Sequence, residues 1–193
     1  MSSRAKAAKV IASVVNDHRS LDAALSETLS AEKIDKERAF IQELSFGVLR
    51  WYHQLNFILE QLLTKPLSRK NSDIKALLLC GLYQLDFLRT PDHAAVSASV
   101  EAVVYLKKKW AKQMINAVLR RYQRERTQIQ NIVKENISAC FSCPDWLISS
   151  LQKEWPEHWK KILNAYNEHP PMHIRVNRQH GSRQNYIQKL NAA

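Results

Sequence analysis

Glycine is nearly absent from this chain: 193 residues carry three, Gly47, Gly81 and Gly181. That excludes folds built on repeated tight turns, and no G-x-G-x-x-G or Walker-type loop is present to cradle a nucleotide or cofactor. Cysteine is equally scarce. Cys80, Cys140 and Cys143 make an odd count with no disulfide framework, which suits a reducing compartment. Cys140 and Cys143 have C-x-x-C spacing, but no second pair and no suitably spaced His accompanies them, so incidental thiols outweigh a metal or redox site. Neither sits in a Pro-Cys or Thr-Cys setting, and no base stands beside it to activate a nucleophile. No carboxylate pair is placed for acid–base work. Long apolar runs are missing as well. The longest, Ala76 to Tyr83, is far too short to cross a bilayer, and the N-terminus lacks an apolar signal region. The expectation is a cytoplasmic protein without membrane contact, metal or catalytic residues in this segment.

What is there is helix and positive charge. At 45% apolar and 24% charged residues, the chain has enough to bury one domain core and part of a second. With so little glycine, long helical periods predict an all-α architecture. Ser2 or Ser3 starts a helix to about Val15, with Val10, Ile11 and Val14 inward. Ser20 caps a second that spaces Leu21, Leu25 and Leu29 by four. A long third helix is predicted from Lys36 to Thr64, with Phe40, Leu44, Val48, Trp51, Leu55, Ile58, Leu59 and Leu62 on one arc. Phe46 and Phe57 project from its other side, which predicts a central position between neighbours. Gly47 within it implies close helix–helix approach, since Gly costs about 1 kcal/mol relative to Ala in a helix. Pro66 ends this element.

Asp73 to Leu88 is apolar nearly all round and is expected to be core. Thr90-Pro91-Asp92 opens a small-residue helix from His93 to Lys107, with His93 capping or solvent-facing. A basic amphipathic helix follows, to about Lys134. Beyond it, Cys143-Pro144-Asp145 and Pro156-Glu157 open two short helices. Pro170 and Pro171 exclude helix, and Ile174 and Val176 alternate with Arg175 and Asn177 as a strand would. Ser182 caps a last helix.

The net charge of +11 is clustered. Between Lys107 and Arg126 there are eight Lys or Arg and one acid, Glu125, which makes +7 in that stretch. At about 100° per residue, Met114, Ile115, Val118, Leu119, Tyr122 and Ile129 fall on one side of the helix. Lys109, Arg120, Arg121 and Arg124 fall on the other. One element thus buries a core face and offers a cationic ridge to a polyanion, because Lys and Arg that neutralise phosphates release condensed counterions. Arg4, Lys6 and Lys9 in the first helix add a second basic group. Candidate RNA contacts are therefore Arg4, Lys6, Lys9, Lys107, Lys108, Lys109, Lys112, Arg120, Arg121 and Arg124, with Arg175 a weaker one because a sheet-edge surface role explains it as well.

Several blocks carry a resemblance. Glu43-Leu44-Ser45-Phe46-Gly47-Val48-Leu49-Arg50, Gly81-Leu82-Tyr83-Gln84-Leu85, Pro91-Asp92-His93-Ala94-Ala95-Val96 and Ile115-Asn116-Ala117-Val118-Leu119-Arg120 resemble, in order and spacing, the NusB-like domain that opens bacterial ribosomal RNA small-subunit methyltransferases of the B type (the Sun/Fmu family). Pro170-Pro171-Met172-His173-Ile174-Arg175-Val176-Asn177 resembles the segment that introduces the small α/β domain of RNA cytosine-5 methyltransferases. The resemblance implies a NusB-like helical bundle over residues 1–136. Over 137–193 it implies a helical connector with the first strand and helix of an incomplete α/β domain.

For function, the resemblance implies the RNA-binding, substrate-positioning N-terminal region of an enzyme that methylates carbon 5 of a cytosine in 16S ribosomal RNA. S-adenosylmethionine is implied as cofactor of the whole enzyme and not of this segment, which should be inactive alone. The implied partners are 16S ribosomal RNA and a C-terminal methyltransferase domain of the same polypeptide. Two other readings are set against this one. A free-standing NusB-type antitermination factor should end shortly after the sixth helix, and the tail from Pro170 to Asn177 discriminates against it. A module that binds an acidic protein would be told apart by competition with RNA.

Overall fold

The most apolar stretch of the chain forms the axis of the fold. In the computed structural model, which describes residues 2–30, 32–168 and 171–191, Ser72–Phe87 is one helix with Ile74, Ala76–Leu82 and Leu85 buried. A helix apolar on every side must be enclosed by others. Around it pack α1 (Ser3–Asp17), α3 (Asp35–Arg50), α4 (Tyr52–Leu62), α6 (Asp92–Ala102) and α7 (Lys112–Glu135), while α2 (Leu21–Ser30) covers α1. The axial helix is α5. The remaining helices are α8 (Ile137–Cys140), α9 (Asp145–Glu154), α10 (Trp159–Asn167) and α11 (Arg183–Asn191). The all-α expectation holds, and no strand occurs among the described residues.

The two internal glycines have packing reasons. A Cβ on Gly47 would lie 2.1 Å from Tyr83 Cζ, and one on Gly81 would lie 2.7 Å from Leu119 Cδ1. Hydrogen at these positions lets α3 and α7 approach the axial helix closely. Tyr83 then extends over Gly47 and its hydroxyl donates to Glu43 Oε1 at 2.7 Å.

The expected long third helix is broken. It divides at Trp51 (φ −97°, ψ 21°) into α3 and α4. The break leaves backbone groups to be satisfied elsewhere. Ser142, from beyond α8, does so: its hydroxyl donates to the Arg50 carbonyl and accepts from Gln54 N–H, both at 3.3 Å. Phe46 is 51% exposed, so α3 is not central; α5 takes that place. The fifth helix of the sequence reading also stops early, at Ala102, and continues as a 3₁₀ turn, Val103–Leu106. Lys107 then adopts a left-handed conformation (φ 57°), and a second 3₁₀ turn, Lys109–Ala111, leads into α7.

The C-terminal region builds a small core of its own. Cys143, Ile148 and Leu163 are buried with Phe141, Leu147, Leu151 and Trp159 against them. Phe141 and Trp159 meet edge to face at 5.6 Å, and Asn167 Nδ2 donates to the Phe141 carbonyl. Asn136 caps α8 by accepting from Ala139 N–H at 2.8 Å. Ser182 caps α11, as expected. Residues 171–177 are neither helical nor paired in a ladder, which corrects the predicted strand; Pro170 lies outside the described residues. A lone strand has no partner to satisfy its backbone groups.

Candidate nucleic-acid interface

The basic residues divide into those that hold the fold together and those that face water. Arg4 belongs to the first group. Its Nε donates to Gln84 Oε1 at 2.8 Å, its guanidinium lies 5.1 Å from the Phe40 ring centroid, and burial lowers its pKa. Lys6 pairs with Glu32 at 2.6 Å, the two side chains only 13% and 12% exposed. Lys108 donates to Asp73 Oδ1 at 2.6 Å and to the Lys70 carbonyl at 2.7 Å. Arg121 donates to Glu125 on its own helix and to the Leu62 carbonyl at the end of α4. Of the candidates, then, Arg4, Lys6, Lys108 and Arg121 spend their charge on internal partners. Sequence spacing puts a cation on a face but does not show which neighbour's carboxylate meets it there.

The exposed group is more localised than the sequence suggested. Lys107, Lys109, Lys112, Arg120 and Arg124 are exposed and make no ion pair among the described residues. The first two lie on the turns between α6 and α7 and the other three on α7 itself. The ridge is thus an edge made of a connector and a helix, not one helix face. No acid stands in the first turn of α7, so the positive end of its macrodipole adds to the field of Lys109 and Lys112. That arrangement is unfavourable for the isolated helix and favourable once an anion binds. Lys9 is exposed as well, but its neighbours Arg4 and Lys6 are turned inward.

Arg126, the last cation of the ridge, is held by internal partners although its side chain stays 40% exposed. It ion-pairs with Asp86 at 2.8 Å and donates to the Leu85 carbonyl. Asp86 also accepts from the Tyr122 hydroxyl and from Gln130 Nε2. Burial raises the Asp86 pKa in spite of these donors. This network ties α5 to α7 below the cationic edge.

Two features of the surface were not foreseen from residue order. Tyr105 and Trp110, 48% and 57% exposed, flank Lys107 and Lys109 in the connector. The signal was present as aromatic residues inside a basic run. Arg175, Arg178 and Arg183 line one open concavity with Asn177 and Gln179, and no acid is among its lining residues. Arg175 therefore has cationic company, which alternation of side chains along a strand did not foretell.

Burial limits the reactivity of Cys80 and Cys143. The Cys80 thiol is fully buried and its pKa is pushed up to about 12 by burial. Burial likewise raises Cys143. No group of three or more metal-ligating side chains occurs among the described residues, and none of their helices is long and apolar enough to cross a membrane.

Comparison with known proteins gives this geometry a context. Residues 1–124 match the NusB family, and residues 143–193 match the Methyltr_RsmF/B-like, ferredoxin-like domain family. The chain is 42% identical over 191 residues to "Ribosomal RNA small subunit methyltransferase B" of Pseudomonas putida. It is 42% identical over 190 residues to "Probable ribosomal RNA small subunit methyltransferase B" of Coxiella burnetii and 40% identical over 191 residues to the Escherichia coli protein. Each alignment takes in 98% of this chain, while the chain spans 43–44% of the length of these curated relatives. The helical unit with its cationic edge, together with the match over residues 1–124, shows that the chain belongs to the NusB family, here joined to a segment of the RsmF/B ferredoxin-like kind.

Proposed function

We propose that this chain is the RNA-binding, substrate-positioning N-terminal region of an S-adenosylmethionine-dependent 16S ribosomal RNA cytosine-C5 methyltransferase. The observation that carries the proposal is the set of exposed, unpaired cations from Lys107 to Arg124 on a NusB-family unit. Phosphate contacts from Lys107, Lys109, Lys112, Arg120 and Arg124 would orient the RNA without reading its bases. Arg175, Arg178 and Arg183 would continue the contact on the C-terminal segment. The relatives' names supply the methyltransferase and ribosomal RNA parts of the reading. The cytosine specificity and the 16S target rest on the resemblance of the blocks around Glu43–Arg50 and Pro170–Asn177.

This sequence has no G-x-G-x-x-G loop to hold S-adenosylmethionine. Gly47 and Gly81 are filled by Tyr83 and Leu119, and Gly181 is an isolated glycine in open space, not part of a glycine-rich loop. The cofactor and the reacting cysteines would come from sequence outside this segment, and the segment alone is expected to bind RNA without transferring a methyl group. We further propose a division near residue 136. The large core ends at Ala139, and the small core begins with partners from Phe141 onward. A cytoplasmic location follows from the ribosomal substrate.

The antitermination reading keeps the RNA contact but has no use for residues 143–193, whose match to the RsmF/B domain favours the enzyme. Charge reversal at Arg120 and Arg124 tests the interface. The variant is expected to bind ribosomal RNA fragments more weakly and to flatten the plot of log affinity against log salt by about 0.7 to 0.9 for each phosphate no longer neutralised. Undiminished binding would remove α7 from the interface.

A further inference from the structure

We propose that Tyr105 and Trp110 form a stacking platform for unpaired bases, so that the cationic edge takes single-stranded RNA in preference to a duplex. This rests on the RNA-binding reading of that edge and adds which form of RNA it holds. Single exposed aromatics are ordinary. Here two large rings and Val104 are exposed within seven residues, interleaved with exposed Lys107 and Lys109 and followed by Lys112. The other exposed tryptophans lack that setting: Trp146 follows Asp145, and Trp155 stands between Glu154 and Glu157. The charge around the Tyr105–Trp110 pair matches a polyanion. It would repel a basic protein surface, and an acidic one could neutralise it without engaging the rings.

The connector is also held in place. Val103, Leu106 and Ala111 are buried beneath it. Lys108 reaches down to Asp73 and to the Lys70 carbonyl, at 2.6 and 2.7 Å. Lys107 N–H bonds to the Val104 carbonyl, and Ala111 N–H to that of Lys108. Rings on a backbone ordered in this way give up little conformational freedom on binding, which favours affinity. An A-form duplex hides the faces of its bases inside the stack, whereas loops and bulges present them to aromatic side chains. Stacking tolerates any base, because each has a π-face. The lysines would meanwhile hold phosphates on either side.

The test measures affinity of the 193-residue chain for a labelled unpaired RNA oligomer and for a fully paired duplex of the same sequence, at several salt concentrations. Trp110→Ala and Tyr105→Ala are each expected to lower single-strand affinity about ten-fold, within the range for loss of one stacked base. Their salt slope and duplex binding should stay unchanged, with an unaltered melting curve as the control for folding. Trp110→Phe should retain most of the affinity while removing the part of the indole emission that single-stranded RNA quenches. Equal decreases on both RNAs, or none, would overturn the stacking platform while leaving the phosphate-binding edge standing. Failure of the chain to bind either RNA in a salt-dependent way would overturn both.

Discussion

Two single atoms decide much of the packing. Gly→Ala in a helix ordinarily stabilises by about 1 kcal/mol. At Gly47 the added methyl would meet the Tyr83 ring at 2.1 Å, and ring displacement would also disturb the hydroxyl held by Glu43. Gly47→Ala should therefore destabilise by roughly 1–3 kcal/mol, the range for overpacking a filled core. Denaturant unfolding reads the sign directly, and a stabilised variant would mean that the helices can part without cost. Close approach at Gly47 was legible in the sequence, because a glycine amid strong helix formers needs a reason. Its contact with Tyr83, on a different helix, was not.

Lys6 gives a second residue-scale test. The hydrogen bond from Lys6 holds the Glu32 pKa below its ordinary value of 4.5. A depressed carboxylate pKa means that the pair contributes stability above pH 4.5, which is lost as pH falls through the lower folded-state value. Lys6→Met should raise the Glu32 titration midpoint, observable by NMR, and weaken that acid sensitivity. An unmoved midpoint would show that Lys6 is free after all. Its place in the first helix was legible. Its commitment to a carboxylate in the turn after α2 depended on a contact that periodicity cannot see.

At the scale of elements, the most informative departure is the break between α3 and α4. Apolar spacing runs unbroken from Phe40 to Leu62, so nothing local announces a bend at Trp51. The bend is supported from outside, by Ser142 bridging Arg50 and Gln54. Ser142→Ala would leave both backbone groups without that partner. The expected cost is about 1 kcal/mol, the net contribution of an ordinary hydrogen bond, because the groups are only partly buried and the bonds are 3.3 Å long. Unchanged stability would mean that water replaces the hydroxyl. The connector between α6 and α7 follows the same logic. Small residues and lysines read as helix through Lys107, but the left-handed Lys107 and the Lys108–Asp73 pair turn the chain aside and create the edge. That α5 is core, in contrast, was plain from composition alone, although the central place was expected of the third helix.

For the whole molecule, the +11 charge sets a field that attracts polyanions from any direction, and the structure narrows where that field is useful. Charges inside the bundle are neutralised locally, at Glu32, Asp73, Glu125 and Asp86. Exposed cations outside those pairs also occur elsewhere, at Lys33, Lys65 and Lys160 for example, but the densest run is on the connector and α7, with Arg175, Arg178 and Arg183 around one concavity. The helical class and the amphipathic basic helix could be read from residue order, since both follow from local period. The sorting of cations into inner and outer sets could not, since it depends on which helices become neighbours. Reactivity of individual lysines toward an acylating reagent, measured by mass spectrometry with and without ribosomal RNA, tests this sorting most directly. The account predicts that Lys6 and Lys108 react slowly in both states, while Lys107, Lys109 and Lys112 react freely alone and are protected by RNA. Protection confined to lysines away from this edge, such as Lys153 or Lys160, with Lys107, Lys109 and Lys112 unchanged, would contradict it.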